Sequence, residues 1–421
     1  LIALGTAFGG RSGRRWVSMG NRIFNRQLAR HMRADGSMIE DSVSYHRFVL
    51  EMLSMRVVLG GESPESRNAM MAAAQFLARL GALEGPVPQY GDWDEGRLFG
   101  ISDDPSDLAG SVRLALSLAG EGAPPEWRNA HDEVAWFAGT GTPVRPAAAE
   151  TGGNDLGAGI SRSTAGPFTV WLKGGSGPSH GHADLSSVAI AHEGRWLIGD
   201  PGTGTYNGRL EERNYFRGSR SHDVLRVDGE DQLVPHRAFR WVHQARGTIG
   251  EPIRFEDTVI MWTIHDAYTR LSPTRRVVRV VVVRPGAVKV TDHVENPPAP
   301  VDLALSLHPQ ALWDEATSTM NLDGAIFALQ PPCSDITTTR GGEDPYAGWW
   351  SDTYGATEPT TVIDARFDSG SPIMWGVQSL DDSQSDDSPM VDHAPVLTVL
   401  FDQDRVRLRV EIDGRTFLRS I

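Results

Sequence analysis

The hydrophobic period changes once along this chain, and that switch limits the folds open to it. Up to about residue 140 apolar side chains recur every three or four positions, and beyond about residue 159 they alternate in twos. No helical pattern interrupts the strands of the second half. This argues against a parallel sheet with crossover helices and predicts an antiparallel sandwich. The expected fold class is therefore α+β in two domains, helices first and sheets second. A length of 421 residues suits two domains better than one.

Within the first half, Trp16, Met19, Ile23, Phe24, Leu28 and Met32 fall at helical spacing, and Asp35-Gly36 breaks that helix. Ser37 with Glu40 offers a capping box for the next one, whose stripe is Tyr45, Phe48, Val49, Met52 and Met55. Ser63-Pro64 opens a third helix carrying Met70, Met71, Ala74, Leu77 and Leu80, and Gly81 ends it. Two shorter helices are predicted over about 106–119 and 125–138. Serial helical hairpins of this kind predict an α/α toroid or solenoid.

Gly139 to Gly159 is rich in Gly, Pro, Ala and Thr. The domains are therefore read as 1–140 helical, 141–158 linker and 159–421 β-sandwich. Strands are predicted at Phe168–Lys173, Ser187–His192, Arg195–Gly199, Val224–Asp228, Arg275–Val283, Val288–Val294 and Val301–Leu307, with turns such as Glu193-Gly194, Asp228-Gly229 and Pro285-Gly286 between them.

A formal net charge of −14 argues against a broad nucleic-acid or anionic-membrane surface, which needs a basic footprint. No apolar run reaches membrane-spanning length. Cys333 is the only cysteine, which excludes an intrachain disulfide and a multi-thiolate zinc site. Lys173 and Lys289 are the only lysines, so nearly all positive charge is arginine, the side chain suited to bidentate contact with carboxylate and sulfate. The sequence starts at Leu1 in mid-pattern, and it reads as a processed chain or the C-terminal part of a longer protein.

The stretch SHGHADL, 179–185, holds the densest set of polar groups. On an extended strand His180, His182 and Asp184 share one face. Water, a metal or a buried network could satisfy them. Two histidines on one strand face are more often surface or hydrogen-bonded groups than ligands, and the stripe around Tyr45 reads equally as core.

The wider order of motifs narrows these alternatives. His180-Gly181-His182-Ala183-Asp184 is followed by Gly194, Asp200-Pro201-Gly202, Tyr206, the arginine-rich segment Arg213–Arg220 and His222. This run resembles the C-terminal domain of heparinase II/III-like polysaccharide lyases. Gln27, Asp35-Gly36-Ser37, Glu40 and Ser44-Tyr45-His46 resemble the toroid segment of that family, and Gly91-Asp92-Trp93-Asp94 a later toroid loop.

The resemblance implies an N-terminal α/α toroid, incomplete here, followed by an antiparallel β-sandwich. It implies β-elimination on a uronate-containing polysaccharide, of glycosaminoglycan or alginate type, leaving a 4,5-unsaturated uronate. Tyr45 matches the catalytic tyrosine and His180 the catalytic histidine, with Tyr206 where some members carry a second active-site tyrosine. His182, Asp200 and His222 match a divalent metal site, expected to be zinc and to organise the loops, which leaves Asp184 a supporting hydrogen-bond role. His46, Arg213 and Arg217 are expected to bind the acidic polymer, and Arg209 and Arg220 would extend a cationic wall. The family's carboxylate-neutralising Asn or His lies upstream of the tyrosine, with His31 and His46 the substitutes present here. Expected partners are the acidic polysaccharide, without nucleic acid or a membrane span. A homodimer is left open, and a periplasmic or secreted location is implied.

Register sets one condition on the metal site. A two-residue turn at Glu193-Gly194 places Asp200 opposite Ser187, five residues from His182 at roughly 3.3 Å each, so a bulge or loop must join the ligands. Two rivals remain. A metallo-hydrolase of the metallo-β-lactamase type starts with a similar H-x-H-x-D, but there another His follows, where Leu185 stands here. As a variant of the hydrolase reading, paired acids at Asp92 and Asp94 would suit a toroid-type hydrolase, but Gly91-Asp92 is equally a turn, the lyase likeness explains both acids, and a structural role is preferred. A catalytically degenerate carbohydrate-binding protein is the other rival.

Overall fold

Local signals decide where the helices of the first half begin and end. In the computed structural model the predicted first helix runs Gly10–His31 (α2), preceded by Ile2–Phe8 (α1). The two cross closely because Gly5 and Gly13 meet: a Cβ on Gly13 would lie 2.5 Å from the Gly5 carbonyl oxygen. The next helix is Val43–Val58 (α3), and its N-cap is Ser42, whose hydroxyl accepts from the Tyr45 N–H. The capping box expected at Ser37 does not form. Asp35 Oδ1 takes both the Ser37 backbone N–H at 2.8 Å and its hydroxyl at 2.6 Å, so Ser37 closes a turn instead.

The third helix behaves as read. Pro64–Leu80 (α4) starts with a reciprocal Ser63/Ser66 cap and Pro64 in its first turn, and it ends at Gly81 in the left-handed region, φ 115°. After Leu108–Ala119 (α5), the helix predicted over 125–138 breaks into Pro125–Ala130 (α6) and Asp132–Phe137 (α7). His131 interrupts it in extended conformation, its Nδ1 2.8 Å from Asp107 Oδ2.

On α3 the stripe is offset from the expected core. Val43, His46, Arg47, Leu50, Leu53 and Ser54 are buried, while Tyr45, Phe48, Val49, Met52 and Met55 are half-buried. Val49, Met52 and Met55 face Ile23, Phe24 and Leu28 of α2 across an apolar groove.

The chain divides into two units, Leu1–Ala149 with Leu156–Ala158, and Glu150–Asp155 with Gly159–Ile421. The structure describes all residues except 61–62, 102–103, 105, 147–153, 156–158, 176–179, 298–299, 315–318, 323–324, 331–332, 369–371, 380–395, 403–404, 413–414 and 421. Much of the predicted linker, 141–158, lies outside the described residues.

Every described strand ladder is antiparallel. A five-stranded meander comprises Asn154–Asp155 (β1), Ile160–Ala165 (β2), Phe168–Lys173 (β3), Val188–His192 (β4) and Arg195–Ile198 (β5). After Leu210–Arg217 (α8) come Leu225–Val227 (β6), Gly247–Ile249 (β7), Ile253–Phe255 (β8), Thr258–His265 (β9), Val277–Arg284 (β10), Ala287–Val294 (β11) and Val301–Ser306 (β12). β7 to β11 belong to a nine-stranded sheet with Ile373–Ser379 and Ala325–Gln330, whereas β6 and β12 join Thr361–Phe367 and Asp335–Arg340.

β10 is apolar on both faces because both are covered. Val277, Val281 and Val283 enter the main core with Phe168, Val170, Leu225 and Leu303. Val278, Val280 and Val282 pack in a second core with Val406, Leu408 and Val410.

Candidate functional site

The described part of SHGHADL, His180 to Leu185, is not a strand. From His180 to Ser187 the backbone is bent and turned, Ser186 sits at φ 66°, and β4 begins only at Val188. The common-face argument from strand alternation therefore fails. The loop does its work through tertiary staples. Ala183 donates its N–H to the Arg217 carbonyl at 2.8 Å, and the Ser219 hydroxyl donates to the Ala183 carbonyl at 2.8 Å. These bonds hold the loop against the end of α8, from which the chain reaches His222 through one 3₁₀ turn.

Asp200 arrives from the other side. Ala191 pairs with Trp196 and Ile190 with Ile198, so Leu197 is an extra residue and the β4–β5 register slips by one. That slip sets Asp200 one residue further from His182 in register, so the turned loop, and not the strand pairing, brings the groups together. His182, Asp184, Asp200 and His222 each bring a ligand atom into one group, all within 4.8 Å of one another and all four side chains buried. A zinc ion with bonds of about 2.0–2.2 Å separates its tetrahedral ligands by roughly 3.4 Å, so small side-chain rotations would close this cluster on an ion.

The unsatisfied atoms favour such a fit. Asp184 Oδ1, Asp200 Oδ2 and His222 Nε2 are buried without a hydrogen bond among the described residues, a costly state unless something charged meets them. His222 Nδ1 lies 3.4 Å from Asp200 Oδ2, and the His182 and His222 rings are 5.2 Å apart. Two imidazoles and two carboxylates form a donor set that could hold a divalent metal. Asp184 has more than the supporting role expected of it. Its Oδ2 accepts from Lys173 Nζ at 2.5 Å, Oδ1 has no hydrogen bond among the described residues, and the carboxylate is one of the four groups of the cluster. Burial alone would raise its carboxyl, yet the charges of Lys173, His222 and His182 hold it below the ordinary value.

Arg279 braces two of the three segments that carry the candidate ligands, and sequence reasoning missed it. It is fully buried on β10 and forks onto Asp292 of β11 at 2.7 and 2.8 Å. It also donates to the carbonyls of Ser186, at 2.8 Å, and Asp223, the residues that follow Asp184 and His222 by two and one. Asp223 in turn accepts the Ser306 N–H at 2.7 Å, and burial pushes its carboxyl well above the ordinary value. The available signal was one arginine inside the otherwise apolar run Val277–Val283.

The catalytic candidates fall in both units. His180 is half-buried at the start of the loop. Tyr206 is half-buried among aromatics, 5.0 Å from the Tyr354 ring and 5.3 Å from Phe239, and its N–H donates to the Tyr354 hydroxyl at 3.0 Å. In the helical unit the half-buried Tyr45 hydroxyl donates to Asp94 Oδ2 at 3.2 Å, while Asp94 Oδ1 accepts the Gly96 N–H at 3.0 Å. The 90–96 segment is tied to the start of α3 by Val43 N–H to the Tyr90 carbonyl and the Ser42 hydroxyl to the Asp92 carbonyl. Asp92 is buried and Asp94 half-buried.

Three expected substrate contacts are corrected. His46 is 2% exposed, its Nε2 bonds the Ala73 carbonyl at 3.1 Å, and its ring lies 4.9 Å from Phe76. It is a core residue, and burial pushes its pKa down to about 4. Arg213 and Arg217 are 3% and 1% exposed. Arg213 donates to the Ala238 carbonyl, and its guanidinium lies 5.1 Å from the Tyr206 ring and 5.4 Å from Phe239. Arg217 donates to Asn214 and to the carbonyls of Arg237 and Arg240, 4.5 Å over Trp241. Their segment is helix α8, and both side chains hold the 235–241 loop. The wall is not free on its other sides either, since Arg209 pairs with Glu343 and Arg220 with Asp364.

A family described as Heparinase II/III-like, C-terminal, matches residues 156–388, and the chain belongs to it. Comparison with curated proteins finds no match. Among solved structures, a heparan sulfate lyase mutant from Pedobacter heparinus aligns at 16% identity with a TM-score of 0.65, covering 100% of this chain and 64% of that one. Two heparinase III structures align at 15% and 14% identity, each with a TM-score of 0.67, covering 100% and 97% of this chain and 64% of theirs. At these identities the likeness shows the fold, helices followed by an antiparallel β-sandwich. The chain spans somewhat less than two thirds of the length of these structures.

Proposed function

We infer that this chain serves a polysaccharide lyase that cleaves uronate-containing polymers by β-elimination. The observation that supports this most is the family match, which spans the segment holding His180, His182, Asp200, Tyr206 and His222. The C5 proton of a uronate is a weak acid, so cleavage needs a base, a neutralised carboxylate and an acid for the departing O4. Tyr45 is assigned to proton transfer, with His180 and Tyr206 as the further catalytic groups. A phenol of ordinary pKa near 10 serves in that role when nearby positive charge lowers it. His182, Asp184, Asp200 and His222 would hold a divalent ion, zinc by its donor set, which when bound fixes the loops bearing His180 and His222. A periplasmic or secreted setting goes with such a substrate.

Glycosaminoglycans and alginate distinguish the substrate types. Incubation with each should yield ultraviolet absorbance from a new C4–C5 double bond in at least one. New reducing ends without that absorbance would assign a hydrolase instead.

A further inference from the structure

The cationic surface sought on α8 is found one layer further out. From Gln232 to Gly250 the chain carries Arg237, Arg240, Arg246, His236 and His243 and no acidic residue, within a protein of net charge −14. Residues 234–242 form a narrow loop closed by Val242 N–H to the Val234 carbonyl at 2.9 Å and His236 N–H to the Arg240 carbonyl at 2.7 Å. At its tip His236, Arg237 and Arg240 are exposed, and Phe239 is 50% exposed. Neither the Arg237 nor the Arg240 guanidinium has an ion-pair partner among the described residues.

The loop is built rather than slack. Arg217 takes the carbonyls of Arg237 and Arg240, and Arg213 takes that of Ala238. Arg237 is held at φ 61°. The Phe239 and Tyr206 rings meet edge to face at 5.3 Å and the Arg213 guanidinium lies beside both, so the basic tip adjoins a catalytic candidate. Two buried arginines thus hold the loop that carries the two exposed ones.

We propose that the 234–242 loop is a subsite for an anionic sugar unit of the polymer. Arg237 and Arg240 pair with its sulfate or carboxylate oxygens, and Phe239 meets the apolar face of its ring. The proposal rests on the polysaccharide lyase reading and adds the residues that select charged units.

The test uses the full chain and the variant R237Q/R240Q, titrated calorimetrically with heparan sulfate and with alginate oligosaccharides of equal length. The wild type should bind at least one of them. The variant should bind at least tenfold more weakly with an unchanged melting temperature, because the pins engage backbone carbonyls. The single variant R240Q should lose less. Loss confined to heparan sulfate assigns a sulfate subsite, and loss with both assigns a carboxylate subsite. Equal affinities for wild type and variant overturn the proposal, as does a wild type that binds neither. If binding and its loss are seen but no unsaturated product forms, the lyase reading falls and the subsite stands. If product forms and the variant binds as well as wild type, the subsite alone falls.

Discussion

Lys173 is one of two lysines in the chain, and it is the one set against the candidate metal ligands. A guanidinium fork would take both carboxylate oxygens of Asp184, whereas the ammonium meets one and leaves the other without a hydrogen bond among the described residues. Truncating one partner of a buried pair strands the other charge, which costs about 3–5 kcal/mol. Lys173→Met should therefore lower stability by that order, and the double variant Lys173→Met/Asp184→Asn should cost less than the sum of the singles. Strict additivity in denaturant unfolding would show that the two are not coupled. His46 makes a different prediction, in the helical unit. Unfolded, its imidazole protonates near 6.5, and folded only near 4. Between those values the unfolded state takes up the proton, so stability is whole above about pH 6.5 and falls as pH drops toward 4, by roughly 3 kcal/mol at most. His46→Gln keeps an N–H for the Ala73 carbonyl and should flatten this part of the pH profile. An unchanged slope between pH 7 and 4.5 would assign acid sensitivity elsewhere.

At the scale of elements, α8 and the loop it holds form one unit of structure. Replacing Arg217 with Ala takes from the Arg237 carbonyl the guanidinium that donates to it, leaves the Arg240 carbonyl to the His236 N–H, and removes the cation over Trp241. The cost should be roughly 2–4 kcal/mol, and brief trypsin treatment should cut at Arg237 or Arg240 in the variant well before wild type. Equal cleavage rates would remove Arg217 as the pin. What the sequence revealed of such elements depended on whether the signal was local. α4 was legible because Ser63, Pro64 and Gly81 act within one turn of its ends. The start of α3 was missed because Asp35, two residues away, captured Ser37. Arg213 and Arg217 were misread because their partners, carbonyls some 20 to 25 residues downstream, leave no mark in composition.

Across the whole molecule, the change of period was enough to predict helices followed by an antiparallel sandwich. The candidate metal ligands were nameable only through the order of motifs. Three of them were expected; Asp184 joined because a turned loop, rather than a strand, carries it. A bulge at Leu197 shifts the register and the Arg279 brace completes the arrangement, and neither follows from spacing. The assigned work is divided between the units, proton transfer at Tyr45 in the helical one and the metal group in the sandwich, and substitutions can separate the two. Tyr45→Phe removes one half-buried hydroxyl bonded to Asp94, so the fold and metal content should persist while turnover falls by roughly 10²–10⁴-fold, the range of a general acid or base. His182→Ala should instead lower bound metal, measured by mass spectrometry of the purified protein, and reduce turnover through the loop it steadies. Full turnover in Tyr45→Phe would take the helical unit's tyrosine out of the chemistry. Metal content unaltered by His182→Ala would leave the buried cluster as a hydrogen-bonded network and nothing more.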